Sequence, residues 1–290
     1  MKILVTGSQG QLGHALQERS LNHKDWIWKF TERAELDITV PEKVQQFVYE
    51  FQPDWVINVA AYTNVDGSET NQELAFRVNA EGPHNLAMAA IEANAKLVHI
   101  STDYVFDGTK NEPYTETDQP NPLQVYGKSK LEGETLIQET GVPGIIIRTS
   151  WLYGSHGKNF VKTILRLADE KDEIQVVDDQ IGSPTYVGDL AEAILELLSI
   201  HTFHHLELLH YSNEGGISWF EFAECLIQNS KNECKTYKIS TNELNQFAIR
   251  PSKSELSLKK ITNNYHIKKK YWKCSLKYFM RLKNKIDYES

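Results

Sequence analysis

The fold is decided by residues 2–13, which read KILVTGSQGQLG. The apolar run at 2–6 predicts a short buried strand, and the spacing of Leu12, Ala15 and Leu16 predicts a helix directly after it. The glycines between them allow the tight turn that such a junction needs. A strand that passes through a glycine turn into a helix is the first unit of an alternating α/β chain.

The same alternation continues through the first half of the chain. Residues 54–60, DWVINVA, are too uniformly apolar for a strand with one wet face, and they suit a parallel strand covered by helices on both sides. Further strands are predicted at 26–30, 96–101 and 144–150, with helices from Pro41 and over about 70–94. This order predicts an α/β fold with a doubly wound, Rossmann-type parallel sheet and right-handed crossovers.

Composition narrows the classes of partner. The 290 residues carry a net charge of −8, and an acidic chain of this kind repels the phosphate backbone of nucleic acid. No apolar run approaches the roughly 20 residues of a membrane span, and the N-terminus lacks the apolar core of a signal peptide. The three cysteines form neither a CxxC pair nor a disulfide framework, which suits a reducing compartment. We therefore expect a cytoplasmic protein without nucleic-acid or membrane partners.

The glycines of the first turn also predict a binding site. Gly7 permits the tight turn, Gly10 lets a phosphate approach the backbone, and Gly13 lets helix and strand pack closely. The helix that follows presents free N–H groups and a partial positive charge to a pyrophosphate. Because this turn lies at the first strand–helix junction of the sheet, the pattern predicts a dinucleotide cofactor.

The chain after residue 155 is less regular. Helices are predicted at about 157–170, 186–199 and 217–230, with short strands at 174–177 and 207–211. We expect a dinucleotide-binding domain over residues 1–155. Residues 156–290 are expected to form a smaller, partly interleaved substrate-binding region, with a lysine-rich tail from about 259 that presents a solvated helix face.

A second motif places polar side chains where a ligand should lie. Tyr126 and Lys130 are four residues apart, which puts both on one face of a helix. A lysine ammonium beside a phenol should lower the pKa of the tyrosine and make it a proton donor near neutral pH. Thr102 ends the strand predicted at 96–101, and ligands bind at the carboxyl ends of strands in an open parallel sheet. The three residues together predict a site that reduces or oxidises a carbonyl group.

Four blocks of sequence carry a resemblance to a known family. They are STDYVFDG at 101–108, VYGKSKLEGE at 125–134, RTSWLYG at 148–154 and IGSPTYVGDLA at 181–191. The glycine spacing resembles the GxxGxxG of extended short-chain dehydrogenase/reductases, and the four blocks together resemble the dTDP-4-dehydrorhamnose reductases within that superfamily. The similarity is expected to run from Met1 to about Leu258, with the lysine-rich tail departing from the family.

The resemblance implies an activity and a set of site residues. The activity is NADPH- or NADH-dependent reduction of the C4 ketone of a dTDP-linked 4-dehydro-6-deoxy-L-hexose, giving dTDP-L-rhamnose. The catalytic residues implied are Thr102, Tyr126 and Lys130. The substrate-binding residues implied are Thr102, Asp103, Asn79 and Trp151. The cofactor-binding residues implied are Gly7, Gly10, Gln11, Leu12, Gly13, Phe30, Asp37, Ile38, Ala61, Tyr62, Thr63, Tyr126 and Lys130. A homodimer is also expected, as members of the family are often dimers.

The choice between the two nicotinamide cofactors depends on the end of the second strand. That strand ends at Phe30 and Thr31, without the acidic residue that would bind an adenosine ribose and repel a 2′-phosphate. Lys29 and Arg33 lie close by and favour NADPH, whereas Glu32 argues for NADH.

Three alternatives stay open at this point. A sugar-nucleotide 4,6-dehydratase is disfavoured because Asp103 is followed by Tyr104 and not by a second carboxylate. A sibling reductase would make another C4 epimer, such as a 6-deoxytalose or fucose nucleotide. A non-catalytic NADP-binding subunit, like the regulatory subunit of methionine adenosyltransferase, would share the fold. No metal site is expected, because no His, Cys, Asp or Glu cluster in the sequence has metal-ligand spacing, and the adjacent pair His204 and His205 is typical of a surface loop.

Overall fold

The structure is a computed structural model that describes residues 1–200, 202–230, 232–244 and 247–289, with side chains as far as residue 283. Its strands are β1 Lys2–Thr6, β2 Ile27–Thr31, β3 Trp55–Asn58, β4 Lys96–Thr102, β5 Gly144–Thr149, β6 Leu152–Tyr153, β7 Glu173–Val177, β8 Ile181–Gly182, β9 Thr185–Tyr186, β10 Leu206–His210, β11 Ile217–Ser218 and β12 Lys235–Ile239.

The helices alternate with these strands. They are α1 Gln11–Ser20, α2 Pro41–Phe51, α3 Val65–Thr70, α4 Gln72–Phe76, α5 Gly82–Glu92, α6 Val125–Thr140, α7 Phe160–Glu170, α8 Val187–Ile200, α9 Trp219–Ser230, α10 Lys259–Tyr265 and α11 Trp272–Glu289. A π-helical turn, Arg77–Glu81, joins α4 to α5, and short 3₁₀ turns occur at Asp103–Val105 and Thr241–Glu243. Each helix and strand predicted from the sequence is present, with ends that differ by a few residues.

The central sheet has six parallel strands in the order β10-β5-β4-β3-β1-β2. The central strand β3 is buried along its whole length, as its apolar run predicts, whereas the edge strand β2 is partly exposed. Side chains alternate between the two faces of the sheet, so Ile145 and Ile147 of β5 pack in a first core and Ile146 packs in a second core. Helices α1 and α8 pack together over the face with the first core, and α2 and α5 cover the face with the second core.

The second half of the chain contributes to this sheet. β10 pairs with β5 at the edge, so the sheet includes a strand from beyond residue 155. The lysine-rich tail folds as α10 and α11, and Trp272, Leu276 and Phe279 of α11 are buried in the first core. The tail therefore has a buried apolar face as well as the solvated lysine face that the sequence predicts. Among the helices described, none has the length and apolar character needed to span a membrane.

The carboxyl ends of four neighbouring strands meet at one edge of the sheet. β1 ends at Thr6 before the glycine turn, β3 ends at Asn58, β4 ends at Thr102, and β5 ends at Thr149. Parallel strands in register bring these ends together, which is why polar residues far apart in the sequence line the same cleft.

Candidate active site

The glycine turn forms a cradle that fits a pyrophosphate. Gly7 has a φ of +71°, and a Cβ there would lie 2.6 Å from the Ala60 backbone. A Cβ on Gly13 would lie 2.5 Å from the Ser8 carbonyl oxygen, so helix and strand pack too closely for a side chain. A Cβ on Gly10 would meet only the Gly7 carbonyl oxygen, at 3.2 Å, within the part of the chain that the structure describes. The outer side of Gly10 is therefore open, beside the free N–H groups that begin α1.

A cavity of about 490 Å³ lies on one side of this cradle. Among the residues expected to bind the cofactor, its lining includes Gly7, Gly10, Asp37, Ile38, Ala61 and Tyr62. Arg33 also lines it, and the Arg33 Nε donates to Asp37 Oδ2 at 3.2 Å. Asp37 further accepts from Thr39, and although burial raises its pKa, these hydrogen bonds hold the pKa below its usual value.

The two basic residues proposed to select NADPH differ in position. Arg33 lines the cavity, but Lys29 does not, because Lys29 Nζ forms an ion pair with Glu35 at 2.5 Å. Phe30 also lies outside both cavities of the site and stacks on Trp28, with ring centroids 5.4 Å apart. Its role as a cofactor residue stays a prediction.

Asn79 supports the segment between the two cavities. It is fully buried in the π-helical turn, where its Oδ1 accepts from Tyr62 N at 2.8 Å. Its Nδ2 donates to Tyr62 O at 3.0 Å and to Ser129 Oγ at 3.0 Å. Asn79 thus ties the predicted cofactor segment at 61–63 to α6, and its contact with substrate stays a prediction.

A second cavity of about 620 Å³ opens at the carboxyl ends of β4 and β5. The sequence-predicted residues along it are Gly10, Gln11, Leu12, Ala61, Thr63, Thr102, Asp103, Tyr126, Lys130 and Trp151. The three residues proposed as catalytic therefore line one cleft, together with the first turn of α1. Among the predicted site residues, Gly13, Phe30 and Asn79 line neither cavity.

Thr102 and Tyr126 line this cleft together, and the Thr102 hydroxyl favours the ionised form of the Tyr126 phenol. Thr102 Oγ1 donates to Asp103 Oδ1 at 3.1 Å and accepts from Tyr104 N at 3.2 Å. Burial raises the pKa of Tyr126 to about 12, and the Thr102 hydroxyl opposes that rise. Burial also raises the pKa of Asp103 to about 7, so this carboxyl group takes up a proton near neutral pH.

The contacts of Lys130 Nζ differ from the pairing with the Tyr126 phenol that the sequence suggests. Its side chain is buried, and Nζ donates to Ile100 O at 2.6 Å and lies 3.1 Å from His99 Nε2. Burial lowers the pKa of Lys130 to about 8, against the opposing charge of Glu134. The expectation of a lowered pKa for Tyr126 is wrong, because burial of the phenol raises its pKa and outweighs the opposing effect of the Thr102 hydroxyl.

Aromatic side chains form the outer wall of the cleft. Trp151 follows β5 with a φ of +46°, and its indole stacks on Trp219 with centroids 3.4 Å apart and planes at 5°. Phe160 lies beside Trp219, with centroids 4.3 Å apart. Trp219 is a cleft residue that the sequence reasoning missed. Its only signal was one tryptophan at the start of a predicted helix, which is typical of a core position.

The loop between β6 and α7 also reaches the cleft, which the sequence reasoning did not foresee. Asn159 Nδ2 donates to Gln11 Oε1 at 2.8 Å and to Gly154 O at 2.9 Å, so this loop is fastened to the first turn of α1. Lys158 of the loop lines the cavity beside Gly10 and Gln11. A segment from the second half of the chain therefore lies beside the glycine turn.

The doubly wound sheet, the glycine cradle and the Thr102, Tyr126 and Lys130 side chains along one cleft define the class, an extended short-chain dehydrogenase/reductase. Within that class the chain belongs to the RmlD substrate binding domain family, whose model matches residues 1–284. The match includes α10 and most of α11, so the expectation that the lysine-rich tail departs from the family is wrong.

Curated relatives and solved structures agree with this assignment. The chain is 39% identical to the dTDP-4-dehydrorhamnose reductase of Aggregatibacter actinomycetemcomitans, over 95% of this chain and 97% of that protein. It is 40% identical to the spore coat polysaccharide biosynthesis protein SpsK of Bacillus subtilis (strain 168), over 97% of each. A crystal structure of the dTDP-4-dehydrorhamnose reductase of Bacillus anthracis str. Ames in complex with NADP matches with a TM-score of 0.91 and 42% identity, over 96% of this chain and 98% of that chain.

Proposed function

We propose that this protein reduces the C4 ketone of a dTDP-linked 4-dehydro-6-deoxy-L-hexose, with NADPH as reductant, and releases dTDP-L-rhamnose. The observation that carries the proposal is that Thr102, Tyr126 and Lys130 line one cleft, which they share with the glycine turn. The names of the relatives favour this reaction over the dehydratase and the regulatory subunit.

The residues present fit a dinucleotide. The open side of Gly10 and the N-terminus of α1 would hold its pyrophosphate, and the cavity lined by Asp37, Ile38 and Arg33 would hold its adenosine end. When bound, the reduced nicotinamide supplies a hydride to the carbonyl carbon of the substrate. The NADP in the Bacillus anthracis structure and the position of Arg33 at the cavity both support NADPH over NADH.

The chain's own side chains supply the proton and the orientation. The phenol of Tyr126 is protonated at neutral pH, and burial raises its pKa further, to about 12. Thr102 would hold the carbonyl oxygen beside that phenol, and Tyr126 would donate its proton as the oxygen gains negative charge. One hydride and one proton thus turn the ketone into a secondary alcohol. Lys130, at the inner end of the cleft, would hold the nicotinamide ribose.

The substrate is assigned to the outer part of the cleft. Trp151 and Trp219 offer flat apolar surfaces to a deoxyhexose or a nucleotide base, and Asp103 offers a carboxyl group to a sugar hydroxyl. Residues 1–155 would bind the dinucleotide, and the region 156–290, which supplies Trp219, would bind the sugar nucleotide. We also propose that the protein is a cytoplasmic homodimer and that it serves cell-surface polysaccharide synthesis.

The decisive experiment follows NADPH oxidation by the purified protein with dTDP-4-dehydro-6-deoxy-L-hexose as substrate. Stoichiometric oxidation of NADPH is expected, and NMR of the reduced sugar should give the C4 configuration of rhamnose. A different C4 epimer would identify the sibling reductase. Binding of NADPH without its consumption would identify a regulatory subunit.

The Tyr126→Phe variant tests the assigned proton donor. It should bind NADPH normally and lose on the order of 10²–10⁴-fold in turnover, the usual contribution of a positioned acid. Tyr153→Phe is a matched control, because Tyr153 is buried outside the cleft and its hydroxyl bonds to no residue that the structure describes. Near-normal turnover of Tyr126→Phe would remove Tyr126 from the mechanism.

A further inference from the structure

A chain of buried polar side chains lies beneath the candidate active site and ends at Lys130. Thr6, Asn58 and His99 occupy the same level on the neighbouring strands β1, β3 and β4, as the strand register shows. Each of these side chains is at most 1% exposed. Polar groups at this depth must pair donor with acceptor, so each contact constrains the next.

The first constraint is the orientation of the Asn58 amide. Asn58 Oδ1 lies 3.1 Å from Ala60 N and 2.7 Å from Thr6 Oγ1. A backbone N–H only donates, so the atom that faces Ala60 must be the amide oxygen. The Asn58 NH₂ group therefore points in the other direction, toward His99 Nδ1 at 3.0 Å.

The second constraint is the tautomer of His99. Because the amide NH₂ group donates, Nδ1 must carry a lone pair, and the single proton of the neutral ring lies on Nε2. That N–H faces Lys130 Nζ at 3.1 Å. A lysine ammonium has no lone pair to accept it, whereas a neutral amine accepts from His99 and still donates to Ile100 O.

We propose that His99 is a positioning residue which presents an N–H to Lys130 and favours the neutral amine of that lysine while the nucleotide site is empty. Thr6 and Asn58 set the direction of this hydrogen bond. The opposite arrangement, with an ammonium donating to His99, would place a ring N–H against the Asn58 NH₂ group. Turning the amide to relieve that contact would place the NH₂ group against Ala60 N–H.

The other charged groups near Lys130 do not supply this effect. Glu134, one turn further along α6, favours the ammonium, but its carboxylate is already held by Arg148 of β5 at 2.6 Å. Tyr126 on the same helix and Asp103 after β4 line the cavity with Lys130, and a negative charge on either group would favour the ammonium and not the neutral amine. Burial lowers the pKa values of both Lys130 and His99, which is consistent with a neutral pair.

The consequence for catalysis rests on the proposed function. A bound anionic dinucleotide would favour the ammonium, so cofactor binding would take up a proton at Lys130 and complete the site only when loaded. The protonation of the empty site is a separate matter, and it can be measured whether or not the protein reduces a sugar nucleotide.

The first test is NMR of the histidine rings in the nucleotide-free protein. Long-range ¹H–¹⁵N correlation spectra report which ring nitrogen carries the proton, and the His99→Leu variant assigns the His99 signals. A neutral ring with the proton on Nε2 is expected. A proton on Nδ1, or a doubly protonated ring, would overturn the proposal.

The second test titrates Lys130 in protein labelled with ¹³C at lysine Cε, with Lys130→Met to assign its signal. The midpoint for Lys130 should rise by about one pH unit in His99→Leu, which removes the facing N–H. His99→Gln should restore the low midpoint, because its oxygen would face Asn58 and its NH₂ group would face Lys130. His210→Leu is the matched control, since His210 is equally buried in the same sheet and accepts from no lysine whose side chain the structure describes.

The outcomes are separable from those for the proposed function. An unchanged or lowered Lys130 midpoint in His99→Leu would show that burial alone sets the protonation of the lysine, and the proposal would be wrong. If His99→Leu does not fold, the wild-type ring spectrum still decides, with its signals assigned through His99→Gln. A protein that never oxidises NADPH but shows these spectra would lose the proposed function and keep this inference.

Discussion

Gly182→Ala should damage substrate binding through Trp151. A Cβ at position 182 would lie 2.4 Å from Cε2, 2.6 Å from Nε1 and 2.7 Å from Cζ2 of the Trp151 indole. Carbon atoms pack at about 3.5 Å, so the ring would have to move by roughly 1 Å. Trp219 is stacked on one face of the same indole, with ring centroids 3.4 Å apart, so the indole cannot move in that direction. The indole therefore has little room to yield without changing the wall of the cleft.

The size of the effect follows from that displacement. Overpacking of a tight contact costs about 1–3 kcal/mol, and a shift of about 1 Å in a positioning group costs on the order of 10²-fold in rate. We expect kcat/KM for the sugar nucleotide to fall by on the order of 10²-fold. The affinity for NADPH should not change, because the atoms nearest to the added Cβ all belong to Trp151 and none belongs to the glycine cradle.

Steady-state kinetics of four proteins make the test specific. Gly182→Ala and Trp151→Phe are each measured alone and then combined with one another and compared with wild type. The smaller phenyl ring leaves room for the added methyl group, so the double variant should be no worse than Trp151→Phe. Wild-type kcat/KM in Gly182→Ala, or losses that simply add in the double variant, would refute the reasoning.

Three further predictions concern charge. Arg33→Gln should weaken NADPH binding on the order of tenfold and leave NADH binding unchanged, because one charged contact to the 2′-phosphate is lost, whereas Lys29→Gln should change neither. Burial raises the pKa of Asp103 to about 7 in the folded protein, whereas an aspartate in the unfolded chain has a pKa of about 4. The folded state therefore holds this proton more tightly, and the free energy of unfolding should fall by about 4 kcal/mol as the pH rises from 4 to 7. Urea unfolding of Asp103→Asn should show no such loss. Arg148→Met should cost about 3–5 kcal/mol in unfolding free energy, because it leaves the Glu134 carboxylate buried without its partner.

Each of these predictions has a contrary outcome. Equal losses for NADPH and NADH in Arg33→Gln would mean that the guanidinium does not contact the 2′-phosphate. Identical pH dependence of unfolding in wild type and Asp103→Asn would mean that this carboxyl keeps its ordinary pKa. Failure of Glu134→Leu to restore stability to Arg148→Met would show that the cost lies in packing and not in the unpaired charge.

Much of the framework follows from short-range patterns. The uniform apolar character of β3 and β5 requires cover on both faces, and this alone predicts a parallel sheet. The spacing of Tyr126 and Lys130 is a property of one helix, so it is readable without the rest of the molecule. Gly7 needs a positive φ whatever surrounds it, and its place after β1 marks the turn.

Other features depend on what the rest of the chain places nearby. Lys29 and Arg33 are alike in sequence, but an ion pair with Glu35 draws Lys29 away while Arg33 lines the cavity. Trp219 reaches the cleft because α9 packs beside the end of β5, and no local pattern contains that contact.

The sequence by itself determined the alternation of strands and helices, the glycine cradle and the spacing of the catalytic candidates, because each depends on residues within a few turns of one another. Only the tertiary structure decided that Lys130 lies against His99 and not beside a phenolate. It also decided that a strand and a tryptophan from the second half complete the sheet and the cleft. The physical reason is that burial and donor–acceptor pairing are set by partners far along the chain, and those partners meet only when the strands come into register.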